Sequence, residues 1–277
     1  KAFLARAIIL PTEGDLIGRL NTVNNDLLRA VRQSMRQAFA DTYTKELLKI
    51  YQDNQTPGPY SPETKPAAKR ALKNVALGYL ALTKHADLVW KQYQASDNLT
   101  DRIAALNILI QNGLPHKAEA IAEFYKRYQK DELVLNKWFA LQASDMQDDA
   151  LKIVKKLIKH PVFDYRNPNK VRAVLGAFGR NLVAFNKPDG SGYRFYAEQC
   201  AYLDPINPKI TSNLLTAFAK FRKFDKAHQE KAMTAMKKLL KMIQILNTVL
   251  YLKPTEDVRT TALTVTGAIQ SISVSSQ

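Results

Sequence analysis

The chain has 277 residues, 46% of them apolar, enough to bury one large core or two closely joined ones, which excludes disorder along most of its length. Its 12 prolines and 10 glycines are few, and the abundance of Ala, Leu, Lys and Gln favours helices over a sheet-rich sandwich. A formal charge of +16, from 41 basic against 25 acidic residues, attracts anions; the cations are spread along the chain with no RRM, KH or zinc-finger signature, so nucleic acid is not the expected partner.

Lys1 to Leu10 carries two charges and a short apolar run, with no small-residue cleavage site after it. No window reaches the roughly 18 uncharged apolar residues of a membrane helix. Neither export nor insertion is expected, and the single cysteine, Cys200, which has no partner for an internal disulfide, favours a cytoplasmic location. A start at lysine rather than methionine is read as the mark of an excised fragment.

The first clear helix is predicted from about Asn25 to Asp53, where Val31, Met35, Phe39, Tyr43, Leu47 and Ile50/Tyr51 form one apolar stripe. Asn25 or Asp26 can cap its start, and Thr56-Pro57-Gly58-Pro59 prevents continuation. Further helices are predicted over 66–82, 86–95, 100–112, 116–129, 131–144, 147–159, 168–179, 191–203, 208–222 and 225–250. Stripes such as Leu72, Val75, Ala76, Tyr79, Leu80 and Ile103, Leu106, Ile110 are too narrow to be buried on all sides, so each helix needs a neighbour. Met236 to Leu250 reads as a packed last helix, whereas Thr255 to Gln277 turns rich in Thr, Ser and Val with a strand-like alternation. The expected fold is all-α, an irregular α-solenoid or superhelix of paired antiparallel helices without a repeat of fixed period. Residues 1–250 form one helical domain in this reading, and 251–277 an atypical, frayed tail.

Sites of chemistry are scarce. A metalloprotease helix needs two histidines four apart with a glutamate beside the first; His85, His116, His160 and His228 are far apart, so no zinc site is expected within the chain. His160, before Pro161, reads as a helix-end residue suited to the negative end of the dipole. No Gly-x-Ser-x-Gly elbow occurs, and Cys200, beside Ala201 and Tyr202, is expected to be a core thiol. Gly190-Ser191-Gly192 lacks the rest of a phosphate loop; Asp189 and Ser191 read instead as caps, with glycines permitting a sharp helix entry. Asn98-Leu99-Thr100 matches a glycosylation sequon, but Thr100 with Asp101 reads as a helix start.

Nine short motifs, in order and spacing, carry a resemblance that covers most of the chain. They are Ala7-Ile8-Ile9-Leu10-Pro11-Thr12-Glu13, Lys69-Arg70-Ala71-Leu72-Lys73-Asn74, Asn98-Leu99-Thr100-Asp101, and Lys137-Trp138-Phe139 with Leu141-Gln142-Ala143. His160-Pro161-Val162-Phe163-Asp164, Asn167-Pro168-Asn169-Lys170, Gly176-Ala177-Phe178, Asp189-Gly190-Ser191-Gly192-Tyr193 and Asn207-Pro208 complete them. Together they resemble the C-terminal domain of the bacterial alanyl aminopeptidases, the aminopeptidase N group of gluzincins. The resemblance implies a helical lid, with no cofactor in this chain, whose partners are the N-terminal catalytic domains of the same polypeptide and peptide substrates. Zinc, its glutamate base and the strand that grips the substrate amine are implied in that missing catalytic part. Arg172 matches a position that can face the substrate chamber, as does Asn213, where relatives can carry a second arginine; an amide carries no charge, so a weaker grip on a peptide carboxylate is implied. The segment Lys241 to Gln277 departs from the family's usual ending. A free-standing basic helical scaffold for acidic partners or RNA is the alternative reading, and separation from the catalytic part leaves room for homo-oligomer formation.

Overall fold

The computed structural model describes residues 1–146 and 150–250, with side chains described as far as Ile243, and all regular secondary structure among them is helical. The described residues form two compact units, one of Lys1–Leu16 with Asp26–Asp131 and the other of Ile17–Asn25 with those from Glu132 onward.

The first unit holds α1 (Ala2–Ala7), the first turn of α2 (Glu13–Arg19), α3 (Asn25–Thr42) after its first residue, α4 (Thr44–Asp53), α5 (Thr64–Leu80), α6 (Asp87–Ala95), α7 (Leu99–Asn112) and α8 (Lys117–Tyr128). The single helix predicted over 25–53 is two helices that break at Tyr43 (φ −109°, ψ 23°). There the Thr44 hydroxyl donates to the carbonyl of Ala40 at 2.6 Å, a local bond that competes with the helical ladder. Because the stripe keeps its phase across the break, periodicity does not reveal it. Leu47 of α4 packs with Ala76, Tyr79 and Leu80 of α5 and with Ala40, and the Tyr79 hydroxyl ties down the end of α1 by donating to the carbonyl of Ile8 at 2.5 Å. The front of the stripe is not buried: Leu27, Val31 and Met35 are 62%, 50% and 54% exposed.

Between α5, α6 and α7 lies a buried polar knot. Asn98 caps α7 by accepting the Asp101 N–H at 2.9 Å, which moves the predicted cap from Thr100 to Asn98. Asp101 then turns inward, accepting from Lys73 Nζ at 2.7 Å and Asn74 Nδ2 at 2.9 Å, while Gln92 Nε2 donates to Asn74 Oδ1 at 2.8 Å. A buried charge survives only when paired and bonded in this way.

The second unit contains α9 (Glu132–Ala143), α10 (Ala150–Leu157), α11 (Pro168–Val171), a π-turn (Arg172–Gly176), α12 (Ala177–Arg180), α13 (Leu182–Phe185), α14 (Ser191–Leu203), α15 (Pro208–Leu215), a 3-10 turn (Thr216–Lys223) and α16 (Lys226–Leu250). Its core is aromatic: Phe185 meets Tyr193, Tyr196 and Phe218 with ring centroids 5.1 to 5.2 Å apart, a spacing at which tilted rings attract. Gly192 is required by close approach, since a Cβ there would run into the carbonyl oxygens of Ala184 and Phe185. Asp189 Oδ1 accepts the Ser191 N–H at 2.9 Å, so this motif is a helix entry, but the cap position is Gly190 (φ 70°) and Ser191, expected as a cap, is the first helical residue. Cys200 is fully buried, and burial pushes its thiol pKa up. The 17–25 segment is fixed by Lys223, whose Nζ donates to the carbonyls of Ile17, Gly18 and Leu20 at 2.9 to 3.0 Å.

Asn25 Nδ2 donates to the carbonyl of Leu182 at 2.8 Å, so that side chain joins two segments of the second unit. Two readings need correction. His160 is no helix-end cation: it packs edge-on against Trp138 and Phe139, its Nδ1 accepts the Val162 N–H at 3.3 Å, and burial lowers its pKa. The 3-10 turn replaces the second half of the helix predicted over 208–222. The tail expected over 251–277 and the start of the helix predicted at 147 lie outside the described residues.

Candidate functional site

The site begins with a cap. Asn167 Oδ1 accepts the backbone N–H groups of Asn169 and Lys170 at 3.0 and 3.3 Å, with Pro168 as the first helical residue; proline suits that position because its missing N–H would have no partner there. The helix so started widens into the π-turn at Arg172, a geometry frequent at functional sites. Arg172 is exposed, and its Nη1 donates to Asn169 Oδ1 at 3.4 Å.

A second cap of the same kind, Asn207 accepting the Ile210 N–H at 3.1 Å before Pro208, starts α15. Asn213 is exposed on that helix, and its carbonyl accepts from the Thr216 hydroxyl at 2.7 Å. Tyr196 of α14 pins α14 to α15 by donating to the Leu214 carbonyl at 3.1 Å. Burial raises the pKa of that phenol well above the usual range, which keeps it a donor.

The two residues singled out by the sequence, Arg172 and Asn213, line one recess of about 540 Å³, together with Arg180, Tyr196, Gly176 and Thr216. Two guanidinium-bearing residues and no carboxylate are among its lining residues, and among the described residues neither arginine pairs with an acid. Such a recess can hold an anion, a carboxylate above all. Its two hydroxyls, of Tyr196 and Thr216, donate to the backbone carbonyls of Leu214 and Asn213. Arg180 and Tyr196 were not legible as lining residues, since nothing in the sequence announces the π-turn.

A larger recess of about 840 Å³, lined by Tyr165, Tyr202, Ile206 and Met242, is mainly apolar. Burial raises the Tyr165 phenol to about 12, and its hydroxyl donates to Gln199 Oε1 at 2.6 Å. Size alone favours this recess, but the smaller one is lined by two arginines and no carboxylate and is the better candidate for recognition.

Among the described residues, no group of three or more His, Cys, Asp or Glu could hold a metal. His116 Nδ1 lies 2.9 Å from Glu119, and His228 bonds Asp225 at 2.7 Å and the Asn186 carbonyl at 3.1 Å, so these imidazoles serve local structure. Among the described residues, no helix is long and apolar enough to cross a membrane.

Aminopeptidase N of Escherichia coli is 34% identical over 242 residues, 86% of this chain and 28% of that protein. Aminopeptidase N of Haemophilus influenzae is 33% identical over 240 residues, again 86% of the chain and 27% of that protein. The crystal structure of Legionella pneumophila aminopeptidase A in complex with aspartic acid superposes with a TM-score of 0.81 at 28% identity, over 95% of this chain and 31% of that one. The chain thus spans less than a third of the length of these relatives and is homologous to their C-terminal part. A family described as "Domain of unknown function (DUF3458_C) ARM repeats" matches residues 1–249, in keeping with an all-helical chain. With that match over nine-tenths of its length, beginning at the first residue, the chain belongs to the DUF3458_C family of ARM-repeat domains.

Proposed function

We propose that the chain is the non-catalytic C-terminal domain of a zinc-dependent alanyl aminopeptidase, which closes the active-site chamber and restricts access to short peptides. Arg172 and Asn213 face the substrate and hold the far carboxylate of a bound peptide. Zinc and the catalytic base belong to the N-terminal part of the same cytoplasmic polypeptide, the domain's partner.

The observation that supports this reading is the asymmetry of coverage: 86% of the chain aligns with only 27 to 28% of each aminopeptidase N, which leaves most of such a protein, outside this alignment, to hold its zinc chemistry. Two features support it. The exposed stripe of Leu27, Val31 and Met35 is the sort of surface another domain covers, and the recess offers cations without nucleophiles.

The isolated chain should release no amino acid from an alanyl chromogenic substrate with zinc supplied. In the full-length enzyme, Arg172→Ala should raise KM for a tripeptide free acid about tenfold, the scale of one charge-assisted hydrogen bond. The same tripeptide as its C-terminal amide should be hardly affected. Zinc-dependent turnover by the isolated chain would refute the non-catalytic assignment, and an equal KM change for acid and amide would remove the carboxylate role of Arg172.

A further inference from the structure

We infer that Arg180 is a second carboxylate-binding residue of this recess, so that its ligands are short peptides with a free C-terminal carboxylate. The inference rests on the substrate-facing reading of Arg172 and deepens it.

The π-turn is the device that makes the pair. On a regular helix each residue turns about 100°, so positions eight apart end about 80° away from each other. A π-turn absorbs one additional residue, and the net rotation from Arg172 to Arg180 becomes that of seven residues, about 20° from coincidence. Arg172 opens the π-turn and Arg180 ends α12, so the two return to one face. Both line the same recess.

Gly176 lies between the two arginines. A Cβ at that position would sit 3.6 Å from Arg180 Nη1 and 3.8 Å from Arg172 Cβ, which places the Arg180 guanidinium against the π-turn, alongside the stem of Arg172. Asn213 lies among the same lining residues. It brings an amide that can bond a peptide carbonyl but adds no charge. Two like charges at one recess, with no lining carboxylate, repel each other until an anion enters. A carboxylate accepts two parallel N–H bonds from a guanidinium fork, and the Arg172 guanidinium, held at Asn169, adds the charge of a second cation to the same recess.

The test uses the 277-residue chain and tri-alanine, as the free acid and as its C-terminal amide, followed by NMR shift titration up to tens of millimolar. The wild-type chain should bind the acid at least fivefold more tightly than the amide. Arg180→Gln should lose about fivefold or more for the acid and nothing for the amide, with Arg180→Lys recovering part of the loss and thermal stability unchanged in both. Arg172→Ala run beside them separates the two claims. If Arg172→Ala weakens the acid and Arg180→Gln does not, Arg180 has no such role while the substrate-facing reading stands. If the wild-type chain shows no preference for the acid, that reading fails and takes this inference with it.

Discussion

Asp204 shows how one residue can carry a pH dependence that no catalytic role explains. It ends α14 with Oδ1 buried and without a hydrogen-bond partner, and burial pushes its pKa from the ordinary 3.8 up to about 6. The folded state therefore binds the proton more tightly than the unfolded chain does. The stabilising contribution is complete below about pH 4 and is lost as pH rises through about 6. Asp204→Asn removes the charged form and should stabilise the chain at pH 7.5 by about 1 to 2 kcal/mol, with the gain shrinking at pH 5. Urea denaturation of both proteins at the two pH values checks it, and an equal difference at both would show that the ionised carboxylate is not the cause. Asp189 and Asp225 work in the opposite sense: hydrogen bonds from Ser191 and the backbone N–H of His228 hold their carboxyls below the usual range, so their contribution fades only in stronger acid.

Among elements, α3 carries the most informative surface. Leu27, Val31 and Met35 recur every four residues and stay exposed, an apolar stripe that costs free energy in water until something covers it. In the absence of a catalytic part, a second copy of the chain is the available cover. Val31→Ser with Met35→Ser should abolish concentration-dependent association in sedimentation velocity while shifting the melting temperature by no more than about 2 °C, because exposed side chains contribute little to folding. Association that survives the double substitution would assign it to another face. Here the limits of the sequence are concrete. Periodicity finds the stripe but is silent on what covers it. It runs through the break at Tyr43, which leaves the apolar phase intact, and it misses the π-turn at Arg172 because residues 173–179 are buried on every side and present no stripe whose shift could be read. Caps are only partly legible: the cap of α7 is Asn98 rather than Thr100, and Asn167-Pro168 and Asn207-Pro208, noted in the sequence only for the resemblance, prove to start the helical segments that lead to Arg172 and Asn213 at one recess. Several resemblance-bearing motifs prove to be folding devices, since Asn98 is a cap, Lys73 with Asp101 a buried pair, and Gly192 a close contact. That is why a family could be recognised from residues that do no chemistry, while Arg180, whose position depends on the π-turn, stayed out of sight.

At the scale of the whole molecule the charge of +16 distinguishes the lid reading from that of a basic scaffold, because salt acts on the two with opposite sign. Copies that meet through an apolar stripe must first overcome mutual repulsion. The screening length falls from about 20 Å at 20 mM salt to about 6 Å at 300 mM, which weakens that repulsion without weakening apolar burial. Self-association of the chain should therefore strengthen as salt rises. Binding to a polyanion depends on releasing counterions from phosphates and falls steeply over the same range. Sedimentation velocity and RNA filter binding, each at 20 and 300 mM sodium chloride, should show more dimer and less bound RNA at the higher concentration. Submicromolar RNA affinity that persists at 300 mM would favour the scaffold, since it would require a concentrated set of phosphate contacts from cations that the sequence spreads over both units.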